Sequence, residues 1–147
     1  WHQDARYWPL KPHKTVTAWL AVDDSDEANG AMRVIPGTHR TGIVGHEDST
    51  TQGNVLGLQI QKGAIDESQA AYLNLKAGEI SLHDDNLVHG SAANHSTRRR
   101  CGLTMRFCTT DVKCDQSIWA GFKTLLVRGV DDRFVAADGQ SVDASSG

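Results

Sequence analysis

The sequence lacks long apolar runs and any large excess of charge of one sign. No stretch of the 147 residues approaches the roughly 20 apolar residues that a membrane-spanning helix needs. The formal net charge is −3, and the only basic cluster is the run RRR at residues 98–100. Three residues are too few for a basic tail or a nucleic-acid groove. We therefore expect neither a membrane nor a nucleic acid as a partner.

Cysteine is also scarce. The three cysteines, Cys101, Cys108 and Cys114, are odd in number and show no C-x-x-C spacing. An odd count argues against a disulfide framework and favours reduced thiols, so we expect a cytoplasmic protein. Cys101 and Cys108 belong to a strand-like run, where cysteine is most often a small buried hydrophobic residue.

The length suits a single domain. A chain of 147 residues, 39% hydrophobic and 22% charged, can bury a core of useful size. The sequence opens without Met, inside a motif, and ends in the small polar run DASSG. We expect residues 1–140 to form the C-terminal portion of one domain whose N-terminal part is missing, and residues 141–147 to be a disordered tail.

The hydrophobic pattern predicts short strands. TVTAWLAV, residues 15–22, is rich in β-branched and apolar side chains, which indicates a strand covered on both faces. In RCGLTMRFCTT, apolar residues alternate with polar ones, which predicts one buried face made of Cys101, Leu103, Met105 and Phe107. Residues 116–127 are the one plausible helix. Many short strands separated by turns predict an all-β sandwich or barrel.

The first chemical signal is WHQD. In a strand, residues i and i+2 point to the same face, so His2 and Asp4 would lie side by side. The pair could be two metal ligands, half of an acid–base couple or an accidental polar edge. Alone, H-x-D is a weak motif.

The second signal is LVHGSAANHSTRRR. His89 ends an apolar piece and is followed by Gly90-Ser91, a turn that would expose the imidazole. Two histidines and one carboxylate form a facial triad that suits Fe(II) and leaves three positions open. Arg100, at the start of the last clear strand, could form a two-pronged salt bridge with a small dicarboxylate cosubstrate.

Taken together, the segments WHQD, AWLAVDD, NGAMRVIPGTHR and LKAGEISLHDDNLVHGSAANHSTRRRCGLTMRF resemble the phytanoyl-CoA dioxygenase family. The resemblance runs from Trp1 to about Arg106. It implies a double-stranded β-helix, or jelly roll, and an Fe(II)- and 2-oxoglutarate-dependent dioxygenase. Such an enzyme uses O₂ to hydroxylate an unactivated C–H bond of a small organic substrate, and it converts 2-oxoglutarate to succinate and CO₂.

The resemblance also implies roles for individual residues. The iron ligands would be His2, Asp4 and His89. Related halogenases have a small residue in place of the carboxylate, so the presence of Asp4 favours hydroxylation.

The same resemblance implies a cosubstrate pocket. Arg100 would bind the distal carboxylate of 2-oxoglutarate, with Ser91 assisting. Gln3 and Trp19 match pocket-lining positions, and Thr17, on the strand face of Trp19, could donate a further hydrogen bond.

The sequence leaves the third ligand and the type of metal open. His83 could replace His89 as the third ligand, although the Gly-Ser after His89 and its spacing to Arg100 favour His89, and His83 is then structural. The same ligand set suits Zn²⁺, but a zinc hydrolase has no evident use for Arg100. A non-catalytic jelly-roll binding module, or a cupin-type enzyme that does not use 2-oxoglutarate, would also be compatible with the sequence.

Overall fold

The computed structural model describes residues 1–50 and 55–130. The predicted tail, residues 141–147, lies outside the described residues. Ten short strands account for the regular structure: β1 Leu10–Lys11, β2 Thr15–Ala21, β3 Met32–Val34, β4 His46–Asp48, β5 Leu58–Ile60, β6 Ala71–Tyr72, β7 Ile80–Asp84, β8 His89–Ser91, β9 Gly102–Cys108 and β10 Lys113–Cys114. Four single 3-10 turns are the only helical segments in the described part, and no described helix is long and apolar enough to cross a membrane.

Two three-stranded sheets position the site. One has the order β7-β2-β9 and the other the order β6-β3-β8, and every pairing within them is antiparallel. Two-stranded ribbons, β1-β10 and β4-β5, complete the described pairings. The nearly all-β architecture agrees with the predicted fold class.

Strand β2 is the centre of the first sheet. It is flanked by β7 and β9, so the backbone of Thr17 lies directly between His83 and Arg106. Thr17 is buried, whereas Val16 on the other face is 41% exposed. Ala18, on the face of Val16, is buried, so the predicted covering of both faces holds only in part.

Strand β9 does not bury the face that was predicted to be buried. Leu103 and Phe107 are 51% and 47% exposed, Cys108 is exposed as well, and Met105 is half-buried. On the other face, Gly102 lies against the ring of Trp19 and Arg106 reaches towards the candidate site, and both residues are exposed. Alternation shows which residues share a face, but not which face is covered.

The predicted helix at residues 116–127 is wrong. Turns run from residue 116 to residue 121, followed by irregular chain. The Asp115 carboxylate accepts hydrogen bonds from the backbone N–H and the hydroxyl of Ser117, and Gly121 has φ of 77°. An Asx turn followed by a left-handed glycine competes with helical hydrogen bonding, and here it prevails.

A small apolar core holds the ends of the site in place. Ile35, Ile60 and fully buried Val88 form a cluster against which Trp1 packs. Val88 precedes His89 in the chain and Trp1 precedes His2. Burial of these two neighbours therefore fixes the backbone from which both imidazoles project.

Candidate metal site

The backbones of His2 and His89 are directly paired. The N–H of His2 donates to the carbonyl of His89 at 2.9 Å, and the N–H of His89 donates to the carbonyl of His2 at 3.0 Å. Such a reciprocal pair in an antiparallel bridge directs the two side chains to one face. The two imidazole centroids are consequently 4.1 Å apart.

Asp4 reaches the same place by a different route from the one predicted. The extended chain ends at Gln3, and a 3-10 turn, Asp4–Arg6, begins where the sequence pattern predicts continued strand. The N–H of Ala5 donates to the carbonyl of Asp85 at 2.9 Å, which ties this turn to the end of β7. The turn still places the Asp4 carboxylate beside His2.

The three side chains meet in a compact cluster. Oδ1 of Asp4 lies 3.7 Å from Nε2 of His2 and 3.8 Å from Nε2 of His89. One nitrogen or oxygen atom from each residue lies within 4.8 Å of the others. Asp4 and His89 are buried and His2 is half-buried. The predicted ligand set is therefore brought together.

His89 is prepared to act through Nε2. Its Nδ1 lies 2.8 Å from the carbonyl oxygen of Leu87, and a carbonyl can only accept, so Nδ1 carries the proton and Nε2 carries the lone pair. Burial, reinforced by the neighbouring His2, lowers the pKa of His89 to about 4. At neutral pH the imidazole is uncharged, as a metal ligand must be.

Asp4 is ionised. Burial alone would raise the pKa of this carboxyl. The contact with His2 and the electrostatic attraction of His89 and Arg106 outweigh burial and hold the pKa of Asp4 well below its usual range. The site therefore presents one carboxylate anion between two imidazoles, which is a cation-binding arrangement.

Gln3 lies beneath the cluster and joins two loops. It is completely buried, its Nε2 donates to the carbonyls of Gly42 and Asn86, and its Oε1 accepts from the N–H of Val44. These bonds use both polar ends of the side chain to join two loops. A contact with a cosubstrate stays a prediction, and the structure gives Gln3 a scaffolding role.

Arg100 and Trp19 form the second part of the candidate site. The guanidinium carbon of Arg100 lies 5.2 Å from the centre of the Trp19 ring, a cation–π contact. Arg100 is half-buried, burial lowers the pKa of its guanidinium, and its Nε is buried without a hydrogen-bond partner. No carboxylate within residues 1–50 and 55–130 forms an ion pair with it.

The predicted neighbours of this arginine are placed on suitable strands. Trp19 lies two residues from Thr17 on β2, about 7 Å along the strand. Ser91 lies two residues from His89 on β8, so both share a strand face, and Ser91 is exposed. The hydroxyl of Thr17 donates to Oδ2 of Asp4 at 3.2 Å, so its one proton is directed at the ligand carboxylate.

Glycine at position 102 makes room for Trp19. A Cβ built at this position would overlap the indole ring. We expect Gly102→Ala to displace the ring and to lower the free energy of unfolding by about 1–3 kcal/mol, measured by thermal or urea unfolding. Gly57→Ala is the matched control, because nothing lies within 4 Å of a Cβ there. Equal stability of the two variants would contradict this packing.

His83 lies beside the cluster but outside it. Its ring is 4.8 Å from that of His89, it is buried, and it does not belong to the group of atoms that could share one ion. Burial lowers the pKa of His83. His89, and not His83, therefore belongs to the candidate group, and its role as third ligand stays a prediction.

Arg106 is the residue that sequence reasoning missed. Its Nη2 lies 3.6 Å from Oδ2 of Asp4, and its guanidinium lies 4.3 Å from the centre of the Trp8 ring. It belongs to none of the motifs, and an arginine that alternates with apolar residues in a strand normally indicates a solvated face.

Several known proteins resemble this chain in sequence. The family model described as "Phytanoyl-CoA dioxygenase (PhyH)" matches residues 1–102. The chain is 30% identical over 113 residues to the "Probable alpha-ketoglutarate-dependent hypophosphite dioxygenase" of Stutzerimonas stutzeri, covering 76% of this chain and 40% of that protein. It is 29% identical over 117 residues to the peroxisomal phytanoyl-CoA dioxygenase of Mus musculus, covering 77% of this chain and 34% of that enzyme.

Solved structures show the same fold. The non-heme monooxygenase ThoJ in its apo form superposes with a TM-score of 0.72 at 33% identity, covering 89% of this chain and 46% of that one. The epimerase SnoN, in complex with Fe3+, alpha ketoglutarate and nogalamycin RO, superposes with a TM-score of 0.61 at 22% identity, covering 88% and 49%. The predicted jelly roll is confirmed. The chain spans less than half the length of each of these proteins.

Proposed function

Because the chain belongs to the phytanoyl-CoA dioxygenase family, we propose that it carries the metal and cosubstrate site of an Fe(II)- and 2-oxoglutarate-dependent dioxygenase. The observation that carries the proposal is the convergence of His2, Asp4 and His89, with one ligand atom from each within 4.8 Å. The resemblance stated from the sequence, the family match and this geometry support the same function.

The donor set fits iron in chemical terms. Two imidazole nitrogens and one carboxylate oxygen match the facial triad of non-heme Fe(II) oxygenases, which leaves three positions for reactants. When bound, Fe(II) would supply O₂ activation coupled to oxidative decarboxylation of 2-oxoglutarate to succinate and CO₂. Asp4 supports hydroxylation of a C–H bond, since the carboxylate occupies a position that a halide would need.

Arg100 fits the distal carboxylate of a dicarboxylate cosubstrate. The half-buried guanidinium, with its unpartnered Nε, has lost hydration and has gained no counter-ion. A carboxylate would supply the counter-charge and accept the hydrogen bonds that water no longer accepts. The contact with the Trp19 ring restricts the guanidinium, so a two-pronged salt bridge would cost less side-chain entropy than at a free arginine. Ser91, on the strand face of His89, is in place to donate a further hydrogen bond.

The chain's own residues would prepare the site without moving protons. His89 keeps its proton on Nδ1, bonded to the Leu87 carbonyl, and presents Nε2. Asp4 stays ionised through the neutral range and keeps the site anionic. Burial of both residues excludes water from one side of the metal position. The substrate in this proposal is a small organic molecule.

The test is an anaerobic titration of the protein with Fe(II) and then 2-oxoglutarate. Chelation of Fe(II) by the keto acid gives a weak visible charge-transfer band, which we expect to be lost in the Asp4→Ala variant. Iron binding without a band would favour a cupin-type enzyme that does not use 2-oxoglutarate. Tight Zn²⁺ binding with no Fe(II) binding would favour a zinc enzyme, and absence of all metal binding would favour a binding module.

A further inference from the structure

The two oxygens of the Asp4 carboxylate have different surroundings. Oδ1 faces Nε2 of His2 and Nε2 of His89 at 3.7 and 3.8 Å. Oδ2 lies 3.2 Å from the Thr17 hydroxyl and 3.6 Å from Nη2 of Arg106. One oxygen is therefore presented to the metal position, while a donor and a positive charge contact the other.

These two contacts come from adjacent strands. Thr17 on β2 and Arg106 on β9 are directly paired in the register of the sheet, so their side chains project together from one face. Thr17 is 1% exposed and β-branched, which restricts its rotamers. The guanidinium of Arg106 lies over the Trp8 ring, 4.3 Å from its centre, and this cation–π contact restricts its position. Both groups are thus held in position by the fold.

We propose that Thr17 and Arg106 are positioning residues that together clamp Oδ2 of Asp4, so that this carboxylate binds the metal through Oδ1 alone. The proposal rests on the proposed function, because it concerns the geometry of a metal ligand. Neither residue touches the metal in this arrangement.

The consequence concerns the number of open positions. A carboxylate is able to bind a metal through one oxygen or through both. A facial triad with three protein bonds leaves three positions of an octahedral ion open. If Asp4 bound through both oxygens, it would take one of the three open positions. A two-pronged cosubstrate would then compete with O₂ for the remaining two positions. The clamp prevents this.

Mn(II) provides a readout that does not depend on turnover. Water-proton relaxation by protein-bound Mn(II) increases with the number of exchangeable waters on the metal. We expect Thr17→Val and Arg106→Met to lower the relaxation per bound Mn(II) by about one third, since open positions fall from three to two. We expect the affinity for Mn(II) to fall about 10-fold, the usual scale for groups that orient a ligand.

Matched variants separate a clamp from a general loss of stability. Thr17→Ser keeps the hydroxyl and should restore the relaxation. Thr15→Val removes a buried threonine hydroxyl at the next inward position of β2, and Arg99→Met removes an exposed arginine. Neither of these two changes should alter the relaxation. Because the Arg106 side chain is 41% exposed, its variants test the proposal even if Thr17→Val does not fold.

The remaining outcomes overturn the proposal. Unchanged relaxation per bound Mn(II) in both Thr17→Val and Arg106→Met would show that Asp4 does not need the clamp, even if affinity falls, and the proposed function would stand. Failure of the unmodified protein to bind Mn(II) or Fe(II) would remove the metal site, and the proposed function with it.

Discussion

The His89→Ala variant is expected to lose more than about 100-fold in affinity for Fe(II). Changes to groups that merely orient ligands cost about 10–100-fold, and His89 supplies a buried nitrogen, already uncharged and oriented by the Leu87 carbonyl. Alanine would leave two ligands and a cavity. Anaerobic calorimetry with Fe(II) measures the change directly.

His83→Ala is the matched control for that result. It removes a second buried imidazole 4.8 Å from His89, so it tests whether position or residue type matters. We expect its Fe(II) affinity to stay within about 10-fold of the unmodified protein, the lower end of the effect of changing a neighbouring group. If His83→Ala eliminated iron binding and His89→Ala did not, the ligand assignment would be wrong.

The second large effect is expected at Arg100. Two charge-assisted hydrogen bonds contribute about 1.5–3 kcal/mol each, and 1.4 kcal/mol corresponds to tenfold in affinity. Arg100→Ala should therefore weaken 2-oxoglutarate binding by about 100-fold or more. Affinity for Fe(II) alone should not change, because a protonated guanidinium has no lone pair to give to a metal ion. Titration of the visible band of the iron–keto acid chelate measures both steps.

Arg99→Ala provides the comparison. Arg99 is adjacent in sequence and equal in charge, but it is exposed and bonded through two nitrogens to the Asp23 carboxylate. Exposed ion pairs contribute little, so 2-oxoglutarate affinity should be unchanged. Similar losses in both variants would mean that Arg100 acts through the overall charge of the loop rather than through a specific salt bridge.

The candidate site could be predicted largely because its residues occur in recognisable motifs. H-x-D and H-G-S spaced from an arginine identified His2, Asp4, His89 and Arg100. Arg106 carried no such signal, because an arginine in an alternating strand normally indicates a solvated face. Its role depends on pairing with Thr17, a register that only the folded sheet defines.

The fold was predictable in class and less so in detail. Apolar and alternating runs predicted strands near the observed β2 and β9. The burial of β9 was predicted wrongly because hydrophobicity normally marks the buried side, and here Leu103 and Phe107 are exposed. The prediction of a helix at residues 116–127 was wrong because hydrogen bonds from Ser117 to the Asp115 carboxylate compete with helical hydrogen bonds.

The reciprocal backbone bonds between His2 and His89 link metal loading to the thermodynamics of folding. One histidine is near the beginning of the chain and the other follows β7, so both reach one ion only after the strands between them have assembled. Any ion that binds this arrangement and not the unfolded chain stabilises the fold by mass action, by about 2.7 kcal/mol at a concentration 100 times the dissociation constant. A chelator would then lower the unfolding temperature, and the metal would act as a reversible cross-link between distant parts of the sequence.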